Sequence, residues 1–67
     1  MKQITNEQIK QQIMNAADYF ADGNLASLLN GKTIEETIAA IKVRYDQIVA
    51  QFGRQVSLTN VVNNYFC

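Results

Sequence analysis

The sequence predicts an all-α fold, a small bundle of three to four helices in the order long, short, longest and terminal. Apolar residues recur at the three- and four-residue spacing of amphipathic helices. Capping residues stand directly before these stretches, and three isolated glycines separate them, with no proline in the chain. With 67 residues the chain is short, so residues 1–67 are predicted to be a single helical domain.

The first predicted helix begins after Thr5. Gln8 follows three residues later, which is the spacing of a capping box, and Ile4 stands where a hydrophobic staple to Ile9 begins. Gly23 follows the helix and readily adopts the left-handed conformation that often ends one. The apolar face of this helix consists of Ile9, Ile13, Ala16 and Phe20.

A short second helix is predicted in "NLASLLNG". Asn24 is positioned to cap it and Gly31 to close it. Because helix nucleation is costly, so short a helix is stable only when its apolar side packs on something else. That side consists of Leu25, Leu28 and Leu29.

The third predicted helix is the longest and ends at Gly53. Thr33 and Glu36 repeat the capping-box spacing, and Glu35 and Glu36 place negative charge at the positive end of the helix dipole. One line along this helix is strongly apolar and is predicted to pack against the first two helices. Its members are Ile34, Ile38, Ile41, Tyr45, Ile48 and Phe52.

The last stretch, within residues 54–67, has two interpretations. Its valines and threonine suit a strand. Ser57 is also placed to cap a helix, and the chain offers no second strand to pair with a first one. We therefore predict a helix whose apolar side consists of Leu58, Val61, Val62 and Tyr65.

A second, shallower apolar face is predicted on the third helix, opposite the strong line. Either it reflects residues that merely form helices well, or another helix or a second molecule covers it. Met14 and Tyr19 add apolar groups that four short helices do not easily bury. The candidate partner-binding residues are Ala39, Val43, Ala50, Val61, Val62, Tyr65 and Phe66.

The composition argues against most kinds of catalysis. The chain has no histidine, the commonest general base and metal ligand, and its single cysteine is Cys67, for which we predict no role. Asp18 and Asp22 stand one turn apart near Gly23 but do not fit a calcium-loop pattern, so a solvated helix end is predicted there. We predict no catalytic residue, cofactor, metal site or small-molecule substrate.

The favoured function is therefore that of a small, non-enzymatic accessory or regulatory protein of bacterial or phage type. Such a protein binds another protein, a second copy of itself, or both. A polar start and the lack of an apolar run of roughly 20 residues predict a cytoplasmic protein without membrane contact.

The alternative is a DNA-binding regulator of the helix-turn-helix kind. The short helix, the turn at Gly31 and the longest helix have that outline. However, the first turn of the presumed recognition helix carries Glu35 and Glu36, which phosphates repel. Six basic and six acidic side chains cancel overall, so nucleic acid is the less favoured partner.

Overall fold

Residues 4–66 are described by a computed structural model, and they form four helices. These are α1 (Asn6–Phe20), α2 (Leu25–Leu29), α3 (Ile34–Phe52) and α4 (Leu58–Phe66). Residues 4–66 contain no strand, and the predicted all-α bundle with its order of long, short, longest and terminal helices is confirmed. α1 packs against the other three helices, and α3 also packs against α4.

Both predicted capping boxes are present. The Gln8 N–H donates to Thr5 Oγ1 at 3.1 Å, and the Thr5 N–H donates to Gln8 Oε1 at 2.8 Å. At the start of α3 the corresponding bonds between Thr33 and Glu36 are both 3.1 Å. Each box satisfies backbone donors that the first turn of a helix leaves without intrahelical partners, which fixes where α1 and α3 begin.

The helix ends depend on left-handed residues, as predicted, but not only on glycines. Gly53 ends α3 with φ 69°, and Gly23 follows α1 with φ 80°. Asp22 and Asn30 also adopt positive φ, at 51° and 53°, and Asn30 rather than Gly31 is the C-cap of α2. Aspartate and asparagine tolerate this region better than other residues with a Cβ, because their short polar side chains bond locally.

The core is formed by side chains of three helices. α1 contributes most of it, α3 contributes Ile41, and α4 contributes Val62. None of the five residues of α2 is fully buried, yet its three leucines pack against this core, as its short length requires. The fully enclosed cluster consists of Ile9, Ile13, Ala16, Ile41 and Val62.

The terminal stretch is a helix, so the helical interpretation of residues 58–66 is confirmed. The Asn60 N–H donates to Ser57 Oγ at 3.4 Å, which supports the predicted cap, and Val61 is buried beside Val62. A hydrogen bond from the Thr59 hydroxyl to Gln12 Oε1 at 3.1 Å joins α4 to α1. The valines are thus used for core packing rather than for strand pairing.

The last member of each predicted apolar line on α1 and α3 is exposed rather than buried. Phe20 and Phe52 belong to the lines of α1 and α3, but they are 40% and 60% exposed. Each is the last residue of its helix, where the chain turns away from the helix axis. Conversely, Ala17 and Thr37 are buried although the apolar pattern did not include them; the Thr37 hydroxyl donates to the Thr33 carbonyl at 3.0 Å.

A candidate protein-binding surface

The side of α3 that faces away from the core is apolar and exposed. We call Ala39, Val43 and Ala50 the α3 outer face; all three are exposed, and the Val43 side chain is 57% exposed. Helical geometry places them within about 40° of one line, opposite the core side, and spreads them over about 16 Å. α3 is about 28 Å long by the same geometry, against a longest dimension of 34 Å for the described chain, so this face lies along much of the molecule.

The rotation of α3 about its axis determines which side becomes the outer face. Ile41 and Tyr45 are buried on the core side. The Tyr45 hydroxyl donates to the Val56 carbonyl at 3.1 Å, which ties the loop after Gly53 back to the middle of the helix. With this side held by packing and by a hydrogen bond, Val43 necessarily points outwards, because it lies about 160° from both Ile41 and Tyr45 around the helix.

Charged residues border the α3 outer face on one side. Glu35, Lys42 and Asp46 lie within about 40° of each other around the helix, and all are exposed. The other border carries Glu36 near its start and is otherwise neutral, with Gln47 and Ala40. The surface therefore has an apolar centre, one charged edge and one largely uncharged edge, which is the arrangement of a core with a polar rim seen in protein interfaces.

Glu36 is ionised at neutral pH at the start of α3. Hydrogen bonds from the backbone and then the side chain of Thr33 hold the pKa of its carboxyl below the ordinary value of 4.5. Desolvation opposes this lowering of the pKa, and the charge of Lys32 adds the smallest lowering effect. The carboxylate is fully exposed, so it serves the capping box and the helix dipole rather than a buried reaction centre.

The other predicted contact residues lie in the bundle itself. Val61 and Val62 are 3% and 0% exposed and belong to the packing of α4 on α1 and α3. Tyr65 and Phe66 are half-buried, pack against the core cluster, and meet edge to face with ring centroids 5.1 Å apart. The structure therefore does not place these four residues with Ala39, Val43 and Ala50 in one exposed surface.

Several larger apolar side chains are exposed elsewhere. Tyr19 is 80% exposed and Met14 is 46% exposed, in line with the expectation that four short helices do not bury them. Tyr19 also forms an edge-to-face pair with Phe20, with ring centroids 4.8 Å apart. The apolar pattern did not predict the exposure of Phe20 and Phe52. Each is the last residue of its helix, and that position was the signal by which their exposure could have been predicted.

Among residues 4–66 there is neither a cluster of metal-ligating side chains nor a membrane-spanning helix. Within residues 4–66 no three side chains among aspartate, glutamate, histidine and cysteine come close enough together to hold a metal ion. Asp18 and Asp22 lie at the end of α1 and in the following turn, as predicted. Over the same residues no helix is long and apolar enough to cross a bilayer. Cys67 lies outside the described residues.

Comparisons of this chain with protein-family models, with characterised proteins and with solved structures find no match.

Proposed function

We propose that this chain is a small, non-enzymatic accessory or regulatory protein that acts by binding protein, in the manner of an inhibitor or adaptor, and that it self-associates through the α3 outer face. A bacterial or phage cytoplasm is the proposed setting. The observation that carries the proposal is the exposure of Val43, flanked by Ala39 and Ala50, on a helix whose opposite side packs into the bundle through Ile41 and Tyr45.

A face of this kind suits a helix as its partner. No side chain on its centre line is larger than valine, so a second helix can approach to about 8 Å, the close end of the usual range of interaxial distances. Burying a valine contributes about 1.5–3 kcal/mol. Since a stable interface covers about 800 Å² on each partner, the contact has to extend from the apolar centre onto the charged edge.

The lack of histidine and the presence of a single cysteine also support a binding function over catalysis. Catalytic chemistry commonly depends on a perturbed titratable group set in a cleft. Here the displaced pKa of Glu36 belongs to an exposed helix cap and is explained by that cap. Binding thus accounts for the surface without requiring a reaction centre.

The test is to place a charge at the centre of the α3 outer face. Val43→Arg is expected to abolish the recovery of binding proteins from a bacterial lysate and to weaken self-association, because an arginine desolvated in an apolar contact lacks a partner. Gln11→Arg, at an exposed position on α1, adds the same charge elsewhere and should leave both unchanged. Far-UV circular dichroism should be the same for both variants. Equal binding by both variants would contradict the proposal.

DNA binding is the second candidate, favoured by one observation. α2, a short turn with left-handed Asn30 and Gly31, and α3 follow one another in helix-turn-helix order. The first turn of α3, which would approach the bases, carries exposed Glu35 and the ionised Glu36. If the chain binds DNA in this way, its affinity for duplex DNA should fall steeply as the salt concentration rises, because released counterions drive such binding. An absence of binding at low salt would eliminate it.

A further inference from the structure

The charges beside the α3 outer face alternate in sign along the helix. Glu35, Lys42 and Asp46 follow one another on the charged edge, and all three side chains are exposed. Read from the start of α3, the edge is negative, positive and then negative. Its central pair, Lys42 and Asp46, complements itself when the helix direction is reversed.

From this pattern we infer that a second copy of the chain covers the α3 outer face, with the two α3 helices antiparallel about a two-fold axis near residue 44. The inference rests on the proposed function, because it names the partner of the same face. In a two-fold contact each surface meets its own copy. For antiparallel helices this brings the charged edge of one copy against the charged edge of the other.

The central charged pair specifies one register. Lys42 lies opposite Asp46 of the second copy when the axis is at residue 44, and the symmetry forms this pair twice.

The apolar residues agree with this centre. Ala39 meets Ala50 of the second copy at the same register, and Val43 of each copy lies about 3–5 Å along the axis from its symmetry mate. Alanines at both ends and a valine near the middle let the two backbones approach along the whole contact. The face thus matches its own reverse in shape as well as in charge.

A parallel pair of α3 helices does not reproduce these contacts. In that arrangement the charged edge faces the opposite edge of the second copy. The residues nearest the face at the height of Lys42 and Asp46 are then Ala40 and Gln47, which carry no charge, while Arg44 lies further around the helix. The antiparallel arrangement is thus the one in which the charge pattern contributes to association.

The charge pattern is tested by exchanging its central pair. Lys42→Glu and Asp46→Lys should each weaken dimerisation about tenfold, because each turns two attractions of modest strength into repulsions. The double variant carrying both changes should dimerise within about threefold of the original protein, as measured by sedimentation over a range of concentrations. If Lys42 and Asp46 pair only within one helix, the single variants will dimerise as the original protein does, which would overturn the inference.

The orientation is tested by disulfide cross-linking in a Cys67→Ser background. A mixture of Ala39→Cys and Ala50→Cys chains should form a cross-link between the two variants, since a disulfide requires Cα atoms about 4.4–6.8 Å apart. Ala39→Cys alone should not cross-link, because its two copies lie about 16 Å apart along the axis. Efficient cross-linking of Ala39→Cys alone would show a parallel pair and overturn the antiparallel arrangement.

The proposed function and this inference fail in different ways. A protein that stays monomeric at every concentration, while Val43→Arg still abolishes capture of a lysate protein, overturns the second copy as the occupant but retains protein binding through the α3 outer face. A protein that dimerises equally well with and without Val43→Arg overturns both.

Discussion

Both sides of α3 carry apolar residues, but only one side is buried. On the core side Ile41 is fully buried and Tyr45 is 6% exposed, whereas Val43 on the other side is 57% exposed. α1 and α4 pack against α3 and cover only the core side. Burial in so small a protein is therefore decided by which surfaces the neighbouring helices reach, and not by the hydrophobicity of a face alone.

The two sides of α3 also differ in the contacts that they make with the rest of the chain. The core side holds the loop after Gly53 through the hydrogen bond from Tyr45 to the Val56 carbonyl. The side chains of the α3 outer face are exposed, and they make no comparable contact within the described part of the chain. Substitutions on the core side should consequently change folding, and those on the outer face should change association.

The sharpest test of this difference truncates one residue on each side. Ile41→Ala should lower the free energy of unfolding by about 2–5 kcal/mol, because it removes buried methyl groups and leaves a cavity. Val43→Ala should change it by less than about 0.5 kcal/mol, as for surface substitutions in general. Urea unfolding at a concentration where the protein is monomeric measures both, which keeps dimerisation out of the comparison. Comparable losses in the two variants would show that the outer face is packed in solution.

A smaller effect is expected at the hydroxyl of Tyr45. Tyr45→Phe keeps the ring in the core but leaves the Val56 carbonyl without its donor, which should cost about 1 kcal/mol. Tyr19→Phe removes a hydroxyl from a side chain that is 80% exposed and should leave stability unchanged. Unfolding midpoints of the two variants give the comparison. An unchanged midpoint in Tyr45→Phe would mean that water replaces the bond at no cost and that the loop is not held by it.

The smallest effect concerns pH at the start of α3. Because the folded-state pKa of Glu36 lies below 4.5, its contribution to stability is present above that value and is lost as the pH falls through the lowered pKa. Glu36→Gln gives α3 the same neutral capping box that Thr5 and Gln8 form on α1. The original protein should exceed this variant in stability at pH 7, and the difference should shrink at pH 3.

Unfolding measurements of the original protein and of Glu36→Gln at both pH values test that expectation. The sign matters more than the size, because the carboxylate is exposed and solvent weakens its effect. A constant difference between pH 7 and pH 3 would show that the Glu36 charge does not take part in capping.

Much of this fold was predictable from the sequence because its signals are local. Thr5 with Gln8 and Thr33 with Glu36 fix two helix starts through bonds three residues apart, and Gly53 ends α3 through its own backbone. The burial of Ile9, Ile13 and Ile41 followed from helical spacing. Phe20 and Phe52 were assigned to the core wrongly, because spacing reports the direction of a side chain and not whether another helix reaches it.

The candidate surface was predictable only in part, for the same reason. The direction of Ala39, Val43 and Ala50 followed from the helix period. The helix period could not show whether α4 would cover them, since that depends on tertiary packing. α4 packs with Val61 and Val62 in the core. The bond from Tyr45 to Val56, which links residues 11 positions apart, has no sequence signature.

In this proposal the α3 outer face binds a second molecule, and first of all a second copy of the chain. The most direct test is the molecular mass in solution over a wide range of protein concentration. We expect the mass to rise from 7.6 kDa towards twice that value, and the Val43→Arg variant to stay at the lower mass. A mass of 7.6 kDa at every concentration for both proteins would contradict self-association.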